Sequence, residues 1–185
     1  MRHIDLKDVL QRTVSDGYGD LVTRRTGQAV RQAIERDLAL DGDGQTAAID
    51  FGTVRCLDLS CADEIVGRLL REQGAARAFV LLNLTAAHRE AIQFVLERHR
   101  LAVVVQDAGG ALDVVGALPD AARRVFGALA QAGTAAPEDV ARRLDLAPEV
   151  ARAALDELLE RGLVVANAGT YGPPAPYRAG PGPAV

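Results

Sequence analysis

The sequence predicts an α/β fold: a mixed sheet with packed helices, followed by a small helical module that ends in a hairpin. Three observations carry that expectation. Apolar runs at residues 47–51, 77–82 and 101–105 have the length and aliphatic content of buried strands. Stretches with apolar residues at helical spacing alternate with them, the pattern of a largely parallel sheet covered by helices. From Leu118 onward the pattern is helical, and each helix has a proline in or beside its first turn, where the missing N–H does no harm.

Residues 4–14 place Leu6, Val9, Leu10 and Val14 on one helical face, and Ser15-Asp16-Gly17 ends that helix. A short strand is expected around residues 18–23. Gly27 then opens a second helix over residues 28–40, in which Val30, Ile34, Leu38 and the pair Arg31 and Glu35 share one register. Asp41-Gly42-Asp43-Gly44 closes it. That run has the outline of a calcium loop, but Thr46 and Gly52 stand where the loop needs glycine and glutamate, so it is a turn.

The strand at residues 47–51 feeds a helix that Ser60 introduces, with Ile65, Leu69 and Leu70 on its apolar side. Ser60 with Asp63 three residues on has the form of a capping box, hydroxyl and carboxylate each serving a backbone N–H. Cys61 in the first turn is read as a packing residue in preference to a reactive thiol. A strand at 77–82, a helix at 86–98 and a strand at 101–105 follow. The turn Asp107-Ala108-Gly109-Gly110 leads into an antiparallel edge strand at 111–115, and the first domain closes near Ala117. Helices at 119–131, 137–144 and 148–161 come next. Leu163-Val164-Val165 and Tyr177-Arg178 then flank a Gly- and Pro-rich loop at 167–176. Three helices and a hairpin outline a winged helix-turn-helix. The expected division is 1–117, 118–178 and a disordered tail at 179–185, with a separate core in each domain.

Composition narrows the function. A hydrophobic share of 49% with 25% charged residues is ordinary for a globular chain, and 4% aromatics with no Trp leaves little surface for stacking on bases. A net charge of -4 disfavours a protein dominated by phosphate-backbone contacts, while permitting a local basic face. Cys56 and Cys61 are the only cysteines, which suits a reducing compartment. The opening MRHIDLKDVL is too polar for a signal peptide and no apolar run approaches membrane-span length, so a cytoplasmic protein without membrane contact is expected. His3, His88 and His99 are scattered, and there is no phosphate loop, nucleophile elbow or paired-carboxylate motif. No cofactor or metal is called for, and a non-enzymatic role is expected.

The segment IDFGTVRCLDLSCADEIVGRLL, preceded by LVTRRTGQAVRQAIE, resembles the STAS-like family of unassigned function, a relative of the STAS domains of bacterial anti-sigma-factor antagonists. The resemblance spans roughly residues 17–106 and is best over 50–70, with S-x-A-D-E at Ser60 its most specific piece. In the antagonists the strand–helix loop carries D-S-S-G, and its second serine is phosphorylated by a partner kinase. Asp58-Leu59-Ser60 matches that spacing, so the resemblance implies a regulatory phosphosite at Ser60 and a partner surface comprising Asp58, Ser60, Cys61, Asp63 and Glu64. The chain departs from the family at Cys61, where the motif has glycine. Asp63 and Glu64 add negative charge that would repel a phosphate. Ser60 is therefore read first as a cap and second as a phosphosite.

APEDVARRLDLAPEVARAALDELLERGLVV resembles the winged-helix modules of bacterial regulators of the MarR and ArsR kinds. That resemblance implies double-stranded DNA as a partner, and Arg142, Arg143, Arg152 and Arg178 are the candidate contacts. The third helix offers Glu149, Val150, Arg152, Ala153 and Asp156, poor equipment for reading bases, so a solvated face is slightly preferred. The combined expectation is a regulatory protein in which a partner-binding domain is coupled to a winged helix, in transcriptional or partner-switch control. The alternative is an adaptor of a histidine-kinase-like ATPase without DNA binding. The edge strand at 111–115 and the N-terminal helix are candidate homodimer surfaces.

Overall fold

A computed structural model describes residues 1–13, 19–40 and 46–174. The chain folds around a five-stranded sheet of order β1-β3-β5-β6-β7, made by β1 (Arg2–Asp5), β3 (Thr46–Asp50), β5 (Ala78–Leu82), β6 (Ala102–Gln106) and β7 (Leu112–Gly116). The first four strands are parallel and β7 returns antiparallel, so the sheet is mixed. A separate parallel pair joins β2 (Asp20–Leu21) to β4 (Cys56–Leu57).

Strand β1 is the main addition to the sequence reading, which began a helix at Ile4. Pairing with β3 claims residues 2–5, with Ile4 against Ile49, and α1 (Leu6–Thr13) starts only afterwards. The Asp5 carboxylate accepts from the Lys7 N–H at 2.8 Å and closes the strand-to-helix turn. A four-residue strand with one buried apolar side chain has no period to detect; its partner across the sheet defines it.

Helix α2 (Arg24–Ala39) begins four residues earlier than the sequence reading placed it. Thr23 is its N-cap, accepting from the Thr26 N–H at 3.2 Å. Gly27 lies inside the helix, and a Cβ there would come 2.9 Å from the Cys61 Cα, so the missing side chain lets α2 lie against the next helix. That helix is continuous from α3 (Leu59–Ala62) through a π-helical segment (Asp63–Arg68) into α4 (Leu69–Gln73). Helix α5 (Ala86–His99) follows β5.

Beyond β7 come α6 (Asp120–Ala132), α7 (Pro137–Leu144) and α8 (Pro148–Glu160), with Pro137 and Pro148 at helix starts as the sequence predicts. A closing hairpin pairs β8 (Val165–Asn167) with β9 (Thr170–Gly172). It is tighter than the predicted Leu163-Val164-Val165 to Tyr177-Arg178 pairing, because Ala168 and Gly169 both have positive φ and turn the chain in two residues. Tyr177, Arg178 and the predicted tail lie outside the described residues, as do the turns at 15–17 and 41–44.

Alternation along the strands divides the sheet between two apolar layers. Ala47, Ile49, Phe79, Leu81, Val103 and Val105 face a core that includes Val9, Ile34, Ile65 and Ile92 of the helices threaded between the strands. Ala48, Val80, Leu82, Ala102, Val104 and Val114 face the other way and pack with Phe126, Leu129, Val140, Leu155 and Leu158 of α6, α7 and α8. The chain passes from sheet to helices near residue 117, but the second apolar core crosses that point. Polar ties reinforce it. Arg123 donates to the carbonyls of Val114 (2.7 Å) and Gly116 (2.9 Å), and Arg161 donates to those of Ala117 (3.1 Å) and Arg100 (3.3 Å). The Arg123 bonds, with Gln93 accepting from the Gly116 N–H at 2.8 Å, occupy backbone groups of edge strand β7 that a second strand would need.

Candidate functional site

Pairing of β2 with β4 brings Asp58 beside Leu21, whose carbonyl accepts the Asp58 N–H at 2.9 Å, and α3 begins immediately after. Asp58 has extended backbone (φ −81°, ψ 166°) and is the N-cap: its Oδ1 accepts the Cys61 N–H at 2.7 Å. Ser60 is one residue inside the helix. Its hydroxyl donates to Asp58 Oδ1 and Oδ2 at 2.9 and 3.1 Å. The capping role assigned to Ser60 from the sequence therefore belongs to Asp58, because a serine at the second helical position cannot turn back on its own helix start. Asp63 does not complete a capping box with Ser60 either.

Asp63 and Glu64 point into counter-charges. Asp63 is 2.8 Å from His99 Nε2 and 3.2 Å from Arg24, with Arg71 at 3.9 Å. Burial pushes its carboxyl up, but the hydrogen bonds from His99 and Arg24 outweigh that and hold it below the usual range. Glu64 is 2% exposed and meets Arg24 at 2.7 Å, Arg68 at 3.2 Å and Arg31 at 3.4 Å. Burial raises its carboxyl too, and the hydrogen bonds from Arg68 and Arg24 more than reverse the effect. The charges that the sequence sets against a phosphate at Ser60 are thus neutralised by arginines from α2 and the π-helical segment. Gly67 makes part of this geometry: a Cβ there would lie 3.0 Å from Val95 Cγ1 and 3.1 Å from Asp63 Oδ1.

Cys61 is fully buried, with its thiol directed at the Thr23 carbonyl at 3.0 Å; burial, with the nearby Asp58 carboxylate, pushes the thiol up to about 12. Cys61 and Glu64 consequently present no surface to a partner, contrary to their place in the sequence-derived set.

Ser60 and Asp63 open instead on a surface cavity of about 320 Å³ between the first turn of α3 and the C-terminal half of α5. Leu59 and Phe94 flank it, 48% and 55% exposed, and Val95 is buried behind them. Arg24, Arg98 and His99 supply its basic rim. Arg24, Leu59, Phe94, Val95, Arg98 and His99 are the members the sequence reading missed. One signal was present: Ile92, Val95 and Leu96 define the buried stripe of α5, and Phe94 falls outside it. Ser60, His99 and Asp63 share this cavity, but the Ser60 hydroxyl is bonded to Asp58 and the His99 Nε2 to Asp63. Among the described residues no group of His, Cys, Asp or Glu side chains could hold a metal ion.

The candidate DNA-contact residues lie on the outside of α7 and α8. Arg142 is 2.9 Å from Asp139 and Arg152 is 3.4 Å from Glu138, both pairs largely exposed. Arg143 is exposed and has no ion pair among the described residues, and Arg178 lies outside them. No helix of the described residues is long and apolar enough to cross a membrane. Comparison with known proteins finds neither a matching family model nor a curated relative.

Proposed function

We propose that this protein is a non-enzymatic regulator whose Ser60 face docks a protein partner, in the manner of a STAS-like domain, while the winged-helix-like module on the opposite face of the sheet relays that state in transcriptional or partner-switch control. The observation that carries the reading is the cavity itself: a serine at a helix start lies between two exposed apolar side chains, Leu59 and Phe94, whereas the other large apolar side chains among the described residues are mostly buried. A shared apolar core between sheet and terminal helices supports rigid coupling of the two faces.

The adaptor reading, with a histidine-kinase-like ATPase as partner and no DNA binding, is favoured by one further observation. Arg142 and Arg152 are already paired with acidic neighbours, which reduces the positive charge available to phosphates.

The test is photo-crosslinking in cells from residue 59, followed by mass spectrometry of the adducts, with Ser60→Asp as the comparison. A specific protein adduct that is lost or exchanged in Ser60→Asp supports the switch. Absence of any specific adduct overturns it. Fluorescence anisotropy with duplex DNA across a salt series decides between the branches, since absence of binding even at low salt removes the DNA-binding one.

A further inference from the structure

We infer that the element recognised at the Ser60 cavity is an apolar peptide segment carrying a carboxylate, with an aromatic or branched side chain between Leu59 and Phe94 and its acidic group on Arg98; this rests on reading the Ser60 face as a partner surface. Phe94 and Arg98 are four residues apart on α5 and so lie one above the other on the same face. Across the cavity, Leu59 and Ser60 come from the first turn of α3. The arrangement is a cleft flanked by two apolar side chains and rimmed by basic groups, Arg98 among them.

The charges at the cavity decide the sign of the occupant. Asp63 is satisfied by His99 and Arg24, and Arg24 in turn holds both Asp63 and Glu64. Arg98 is the one cation of the cavity without an acidic partner among the described residues. An incoming carboxylate would gain Arg98 without breaking an existing pair, whereas an incoming lysine would face Arg98 and could reach Asp63 only by displacing Arg24 or His99. The volume of about 320 Å³ is at the small end of ligand sites, room for a side chain or two and not for a large cofactor. The Ser60 hydroxyl spends its proton on Asp58 and keeps lone pairs free for a backbone N–H of the bound segment.

The experiment uses the full chain and three fluorescein-labelled peptides differing only at a central pair: Glu-Phe, Lys-Phe and Glu-Ser. Fluorescence polarisation is expected to rank Glu-Phe tightest, about fivefold over Lys-Phe, the scale of one exposed ion pair. Arg98→Glu, a change at an exposed position, is expected to reverse the order of Glu-Phe and Lys-Phe, and Phe94→Ser to remove the advantage of Glu-Phe over Glu-Ser. Equal affinity for the two charged peptides, an order unchanged by Arg98→Glu, or no binding at millimolar concentration overturns the inference. A crosslinked partner in cells together with charge-blind peptide binding rejects this inference alone. Charge-swapped peptide binding with no cellular partner rejects the regulatory reading and leaves the site standing.

Discussion

Three carboxylates and an imidazole show how neighbours set the behaviour of single residues here. Asp58 holds the start of α3 by accepting both the Cys61 N–H and the Ser60 hydroxyl, so the two residues of the D-x-S spacing are unequal partners. Asp58→Ala should lower unfolding stability by about 1–2 kcal/mol, the scale of an N-cap, and Ser60→Ala by less, because its loss leaves the cap in place. Urea denaturation of both variants checks this; a larger loss in Ser60→Ala would return the cap to the serine. His88 is 1% exposed, its Nδ1 accepts from the Thr85 N–H at 3.3 Å, and its Nε2 has no hydrogen-bond partner among the described residues. Burial holds its pKa below the ordinary 6.5. Since the folded value lies below the unfolded one, the stability tied to neutral His88 is complete above about pH 6.5 and is lost as the pH falls below it. Asp63 and Glu64, also held low, add a second loss in the same direction only below their ordinary 3.8 and 4.5. Stability measured at successive pH values should therefore decline in two separate windows, and His88→Leu should flatten the upper one. Persistence of that upper decline in the variant would assign it to another group.

At the scale of elements, the helix from residue 59 to 73 is the one most shaped by its surroundings. Its central π-helical segment carries buried Glu64, and two glycines set its distances: Gly27 toward Cys61 and Gly67 toward Val95 and Asp63. Gly67→Ala should destabilise by about 1–3 kcal/mol, the cost of overpacking, in spite of alanine's better helix propensity. The His99 ring signals in NMR spectra should shift relative to the parent protein as the Asp63 contact opens. A neutral or stabilised variant would show that α5 retreats without strain. Most helices were legible in the sequence because their buried faces repeat at helical spacing, and α7 agrees with its predicted bounds at both ends. Starts were less legible where the true cap lay upstream of the residue read as opening the helix, Thr23 four residues before Gly27 and Asp58 two before Ser60. The short strands β1, β2 and β4 have too few residues to show a period, and pairing alone defines them.

Across the whole molecule, the sheet is covered on both faces by parts of the same chain, and this predicts a single cooperative unit. Removing residues 118–185 would expose Val80, Leu82, Val104 and Val114, each worth about 1.5–3 kcal/mol when buried. A fragment of residues 1–117 should bind a hydrophobic dye and lose the sharp, single urea transition expected of the full chain. Two resolved transitions in the full chain, or a well-folded fragment, would mean that each part holds itself together. Of the candidate site, the sequence made Asp58, Ser60 and Asp63 visible because they lie close together along the chain at a strand-to-helix turn. Phe94, Arg98 and His99 come from a helix more than thirty residues away, and only packing of α5 against α3 and the π-helical segment brings them to the same cavity.

The sequence by itself determined the kinds of elements and most of their order, since buried periodicity, turn residues and prolines at helix starts act within a few residues. The mixed α/β architecture follows from that alternation. Tertiary structure alone decided which acidic side chains are free and which are neutralised, where the serine's proton goes, and that the terminal helices complete the sheet's second core. Those outcomes depend on charges and apolar surfaces that are distant along the chain and meet only when the strands align, so no local pattern encodes them.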